Sequence, residues 1–154
     1  MKRNFEVTRI LPFKHTLVFE QVANFERYEQ YLPFCNASRS LNTDNKDFYQ
    51  IGELEFEIAC VSYKIKSGNI IEDKRILITQ IKGPFEEMNA SWDVEHLNDK
   101  SCRISFKANA KVPYFLGILL SDSTVEKFVN VFLDSFVNDL DARIKKETKA
   151  PTFS

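Results

Sequence analysis

Along the last quarter of the chain apolar residues recur every three or four positions, and along the middle they recur every second one. Val125, Val129, Phe132, Phe136 and Leu140 stand at helical spacing, and Phe128, Leu133 and Ile144 widen the stripe. Lys127, Asn130, Asp134, Asn138, Asp141 and Lys145 fall on the opposite arc, so the segment reads as one amphipathic helix. Ser123 followed by Glu126 has the form of a capping box, which predicts a helix from Thr124 to Glu147, roughly 35 Å long at ~1.5 Å per residue. An apolar run from Val112 to Leu120 precedes it, separated by the polar break Ser121-Asp122-Ser123-Thr124. No second helix of this length is legible upstream. The aromatic stripe must therefore be buried on a sheet.

The residues before it supply that sheet. Phe5 to Leu11 alternates loosely and predicts a strand ended by Pro12. Phe13 to Asn24, carrying Leu17, Phe19, Val22 and Ala23, reads as a short amphipathic helix. Phe25 to Tyr31 reads as a second, and Leu32-Pro33-Phe34 stops it because the residue before a proline avoids the α region. Ser38 to Leu41 is a weak strand, and the polar run 42–47 is turn chemistry. Leu54, Phe56 and Ile58 alternate with Glu53, Glu55 and Glu57, and Val61, Tyr63 and Ile65 alternate with Ser62, Lys64 and Lys66. Paired as a hairpin, these two strands bring glutamates beside lysines. Arg75 to Ile81 forms the next strand, closed by Gly83-Pro84. Met88, Ala90, Trp92 and Val94 mark another, and after the turn at 98–100 Cys102, Ile104, Phe106 and Ala108 mark the last. Short connections favour antiparallel neighbours. The expected architecture is one α+β domain over residues 1–148, a curved antiparallel sheet closed over the C-terminal helix, with 149–154 a disordered tail.

Composition changes the picture in two places. The 14 Phe against 1 Trp and 5 Tyr favour an apolar interior over polar-tipped aromatic contacts. A net charge of −1 leaves no electrostatic footprint for nucleic acid, so DNA is not an expected partner. No apolar run is long enough to span a bilayer and no signal peptide is legible, which points to the cytoplasm. Cys35, Cys60 and Cys102 lack metal-ligand or redox spacing and read as reduced thiols acting as small hydrophobes.

Candidate chemistry is sparse. His15 and His96 have no metal-ligand partner by spacing, and neither a phosphate loop nor a nucleophile elbow is present. The three glutamates of 53–57 form a solvated strand face rather than an acid/base pair. The pattern is that of a binding protein, not an enzyme, with no catalytic residue and no metal.

The run from Val22 to Cys35, reading VANFERYEQYLPFC, resembles the opening signature of the coenzyme Q-binding START-like family, which includes the RatA ribosome-association toxins and belongs to the polyketide cyclase/lipid-transfer superfamily. Gly83-Pro84-Phe85, then Trp92, then Cys102-Arg103 are similar to its second half. The family often carries proline where this chain has Glu29, and Gly-Pro where it reads Ser121-Asp122. The resemblance covers roughly Phe5 to Ile144 and implies a helix-grip (START/Bet v 1-like) fold with a cavity between sheet and helix.

Such a cavity implies a hydrophobic ligand, with ubiquinone or a related polyisoprenoid lipid as the bound molecule and no resident cofactor. Its expected walls are Phe128 and Phe132 on the helix, beside Phe136, and Phe56, Tyr63, Trp92, Ile104 and Phe106 on the sheet. All of these also read as ordinary core. Trp92 and Tyr63 stand out because each joins an aromatic body to a polar handle. Phe34 and Leu119 are expected at an apolar lip, where Tyr114–Leu120 faces Leu32-Pro33-Phe34; an ordinary buried helical turn is the alternative there. A lip of this kind implies transient contact with a membrane surface, peripheral at the inner membrane. The resemblance equally implies a RatA-like alternative, a regulator that binds the large ribosomal subunit and blocks subunit association.

Overall fold

Strict alternation becomes seven strands: β1 (Lys2–Leu11), β2 (Cys35–Leu41), β3 (Gln50–Ile58), β4 (Val61–Ile71), β5 (Arg75–Lys82), β6 (Glu87–Asn98) and β7 (Ser101–Lys111). They form one antiparallel sheet in the order β1-β7-β6-β5-β4-β3-β2. The computed structural model describes residues 1–41, 48, 50–58 and 60–149. The expected turn at 42–47, and positions 150–154 of the expected tail, lie outside those residues.

Most hairpins follow the sequence closely. Glu53 pairs with Lys66 and Glu55 with Lys64, and the Glu53 carboxylate lies 3.9 Å from Lys64 Nζ and 3.7 Å from Arg39 Nη1. The fourth strand is longer than the alternation predicted: it continues past Lys66 through Ser67-Gly68-Asn69 to Ile71, with a bulge at Lys66/Ser67. Gly68 sits there because Phe48 covers it, and a Cβ would meet that ring at 2.4 Å.

β1 and β2 occupy opposite edges, and the connection between them carries α1 (His15–Ala23), then a 3-10 turn (Phe25–Arg27) running into α2 (Tyr28–Tyr31). The two short predicted helices are thus present, the second as a 3-10 turn followed by one α-helical turn. α3 (Tyr114–Leu119) and α4 (Asp122–Lys149) follow the sheet. At 28 residues, α4 is about 42 Å long.

α4 begins two residues earlier than the capping pattern suggested. Ser121, not Ser123, caps it: Ser121 Oγ accepts from the Thr124 backbone N–H at 3.2 Å and lies 2.9 Å from Thr124 Oγ1. Asp122 adds a negative charge in the first turn, where the helix dipole favours it. Ser121-Asp122, which stands where the resemblance leads to an expectation of Gly-Pro, therefore supplies the cap and the first-turn charge.

The stripe on α4 faces the sheet. Leu133 and Phe136 are fully buried, and Val129, Phe132 and Leu140 nearly so. They share one core with Leu11, Val18, Cys102 and Ile104. Arg9 on β1 fastens the helix from its polar side, donating to the Asn130 carbonyl and pairing with Asp134. A separate small core under α3 joins Val112, Leu116 and Leu120 to Tyr63, Phe85 and Met88.

Candidate functional site: a cavity between sheet and helix

The core is not filled along its whole length. A cavity of about 220 Å³ lies between the sheet and α4. The sheet register explains its floor. One row of directly paired residues crosses six strands as Gln50, Asn69, Ile78, Ala90, Ala108 and Phe5, and all six line the cavity. Within that row Ala90 stands opposite Ala108, two methyl groups beside the Trp92–Phe106 pair of the next row. The next row brings Ile71, Ile76, Trp92 and Phe106 to the same wall. Phe128 and Phe132 of α4 form the roof, and Leu120, Thr124 and Val125 close it towards α3.

The aromatic side chains brace one another. Trp92 lies 4.7 Å from Phe106 and 5.9 Å from Phe132, centroid to centroid. Phe34 does not line the cavity; it sits behind the roof, its ring 4.2 Å from that of Phe128. Phe56 lines the wall and packs edge-on to Phe128 at 5.7 Å.

Five of the eight expected site residues thus converge: Phe56, Trp92, Phe106, Phe128 and Phe132. Tyr63 lies outside the lining, drawn into the small core under α3. Leu119 is 42% exposed and also lies outside; Leu120, just past the end of α3, lines the cavity instead. Ile104 and Phe136 are solid core. The lip is also arranged differently. Leu116 and Leu120 pack on Tyr63, Phe85, Met88 and Val125, whereas Leu32 and Phe34 belong to the main core. α3 is not a buried turn, because Tyr114, Phe115 and Ile118 are each more than two-thirds exposed.

Alternation could not have shown what α1 and α2 contribute. Phe25 and Tyr28 reach the cavity end, and Phe25 approaches so closely to Gly52 that a Cβ there would meet its ring at 2.7 Å. Tyr28 donates its hydroxyl to the Val22 carbonyl. Burial, helped by Tyr31 and Cys35 nearby, holds its phenol well above the usual range, so it stays neutral. Apart from that phenol the lining contains no ionisable side chain. The polar residues are few: Gln50, Ser67, Asn69 and Thr124.

The histidines lie elsewhere. His15 of α1 and His96 of β6 meet edge-on, ring centroids 5.0 Å apart, and neither lines the cavity. Among the described residues no group of three His, Cys, Asp or Glu side chains gathers at metal-binding distance.

A wrapped antiparallel sheet, a gripped C-terminal helix and a hollow between them define the helix-grip fold class. Residues 11–137 match the family described as polyketide cyclase/dehydrase and lipid transport, and the chain belongs to it. The ribosome association toxin RatA of Rickettsia prowazekii is 24% identical over 151 residues, 95% of this chain and 96% of the toxin. The mitochondrial coenzyme Q-binding protein coq10 of Schizosaccharomyces pombe is 19% identical over 152 residues, 94% and 91% of the two chains. Among solved structures, the Zhui aromatase/cyclase of Streptomyces sp. R1128 superposes with a TM-score of 0.77 at 17% identity, covering 94% of this chain and 96% of its own. At that identity the likeness shows the START-like fold alone.

Proposed function

We propose that this protein is a non-enzymatic carrier of a hydrophobic molecule, ubiquinone or a related polyisoprenoid lipid, which it holds between sheet and α4 in support of respiratory electron transport. The observation that carries this reading is the cavity itself, walled by apolar side chains and free of ionisable groups other than the neutral Tyr28. Such a wall suits a neutral apolar ligand and offers no acid/base pair for catalysis. The likeness to coq10 supports the choice of ligand.

At about 220 Å³ the cavity is smaller than the ~300–1,000 Å³ of a pocket that encloses a drug-sized ligand. It suits a ring and the first part of a tail, with the rest of a long polyprenyl chain outside. The exposed apolar face of α3 adjoins the Leu120–Val125 end of the cavity and suits contact with a membrane surface during loading. Among the described residues no helix is long and apolar enough to cross a membrane.

Native mass spectrometry with lipid extraction, on protein purified from its own host, tests the carrier reading. A quinone or polyprenyl lipid near one per chain is expected, and a lipid-free protein that takes up no quinone on incubation would refute it. A second reading draws on the relatives, since the RatA match is higher in identity and equally complete. In it the protein binds the large ribosomal subunit and blocks subunit joining. A chain of net charge −1 should sediment largely apart from ribosomes at physiological salt. Stoichiometric, salt-resistant co-sedimentation with the large subunit would reverse the preference.

A further inference from the structure

We propose that Asn69, oriented by Ser67 and flanked by Gln50, is the polar anchor of the cavity and recognises a carbonyl oxygen on a neutral ligand. This rests on the carrier reading and adds to it an orientation and a chemical class. Ser67 and Asn69 are the only polar lining residues among those described that are more than nine-tenths buried, at 5% and 7% exposure. Both point inward from β4, two residues apart, and the bulge at Lys66/Ser67 falls where it sets the direction of Ser67. Gln50 is the direct cross-strand partner of Asn69, and Ile78 pairs with it from the other side.

The hydrogen bonding defines what the pair offers. Ser67 Oγ donates to Asn69 Oδ1 at 3.2 Å. That bond engages the carbonyl end of the amide and fixes which way the carboxamide faces. It leaves the two N–H donors of Asn69 unused by Ser67. Amide donors in an otherwise apolar wall are costly unless an acceptor reaches them, which a ligand oxygen would do. No lysine, arginine or histidine lines the cavity, so a carboxylate or phosphate head would be buried without a counter-charge. The chemistry that fits is a neutral ring bearing carbonyl or ether oxygens, its polar end at β3–β4 and its apolar tail along Phe128 towards Leu120. The head group is thus placed at Asn69, away from Tyr63, which lies outside the lining.

Trp92, the single tryptophan, lines the cavity, so its emission serves to follow the quinone by quenching and, with isothermal calorimetry, the hydrocarbon by its change in environment. Decylubiquinone and decylbenzene serve as probes, alike in tail and different in ring oxygens. The parent protein is expected to bind the quinone more tightly than the hydrocarbon. Asn69→Leu should weaken decylubiquinone about tenfold or more while leaving decylbenzene unchanged or tighter, because only the oxygen-bearing ring loses a partner. Ser67→Ala, which frees the amide to rotate, should weaken the quinone two- to fivefold and covers the case in which Asn69→Leu does not fold. Equal binding of the quinone by the parent and both variants overturns the anchor but leaves the carrier reading standing. A parent that binds neither probe overturns both.

Discussion

Ala90 and Ala108 face each other across β6 and β7, and the hollow lies over them because neither methyl reaches α4. Added bulk there has somewhere to go. Ala108→Phe is expected to change stability by less than about 1 kcal/mol while abolishing decylubiquinone binding, whereas overpacking a filled core typically costs about 1–3 kcal/mol. Phe136 is the opposite case, with no exposure and no place in the cavity lining. Phe136→Ala should cost about 3–5 kcal/mol in urea unfolding. A reversal of these two rankings would show that the hollow lies elsewhere. The buried thiols make a second residue-scale prediction. Burial pushes Cys35 and Cys102 up to about 11 from an ordinary 9.0. A raised pKa in the folded state means that the unfolded chain gives up its protons first. Their contribution is then complete below about pH 9 and lost as pH rises to about 11. Urea midpoints should fall between pH 9 and 10.5, and a flat profile would contradict the burial. Exposed Cys60 alone should react with a maleimide in the native protein.

At the scale of elements, the two serines before α4 separate pattern from geometry. Ser121→Ala removes the acceptor for the Thr124 N–H and should cost about 1 kcal/mol, while Ser123→Ala, already inside the helix, should cost less than about 0.5 kcal/mol. Equal effects in urea unfolding would mean that the cap is not at Ser121. α3 divides its residues just as sharply. Leu116 and Leu120 hold it to Tyr63, Phe85 and Met88, and Tyr114, Phe115 and Ile118 face outward. Phe115→Ser with Ile118→Ser should therefore leave the melting temperature within a degree or two. The double variant should also co-sediment less with phospholipid vesicles than the parent. Unchanged vesicle binding would remove the membrane-contact role from this helix.

For the whole molecule, a ligand that binds only the folded state stabilises it by mass action. At about one hundred times its Kd the gain is about 2.7 kcal/mol. For a chain of this length that corresponds to a rise in Tm of roughly 5–10 °C. Decylubiquinone should produce that shift in the parent and not in Ala108→Phe. A shift of equal size in both would mean that the quinone stabilises from outside the cavity. The polar network between α1, the 3-10 turn and α4, none of whose side chains lines the cavity, should not respond. There Arg27 pairs with Asp139 at 3.2 Å and Gln21 donates to the same carboxylate at 2.7 Å, fastening α1 and the 3-10 turn to α4.

The order of elements, the faces of the strands and the stripe of α4 were legible in the sequence, because periods of two and of three to four residues are local consequences of backbone geometry. Alternation set glutamates beside lysines on β3 and β4, which the register realises as Glu53–Lys66 and Glu55–Lys64. It also assigned Phe56, Trp92 and Phe106 inward, while helical spacing assigned Phe128 and Phe132. Periodicity gives a direction for a side chain but not what waits across the core. Only the tertiary structure decided that Phe132 borders a hollow while Phe136, one turn on, is packed solid. Only it sent Tyr63 to the small core under α3, turned Phe115 and Ile118 outward, and brought Phe25 and Tyr28 of the early helices to the cavity end. Ser67 and Asn69 carried no signal of their own, being polar residues that read equally well as the end of a strand. Register across β3, β4 and β5 is a property of three segments at once, and that register put an amide in an apolar wall.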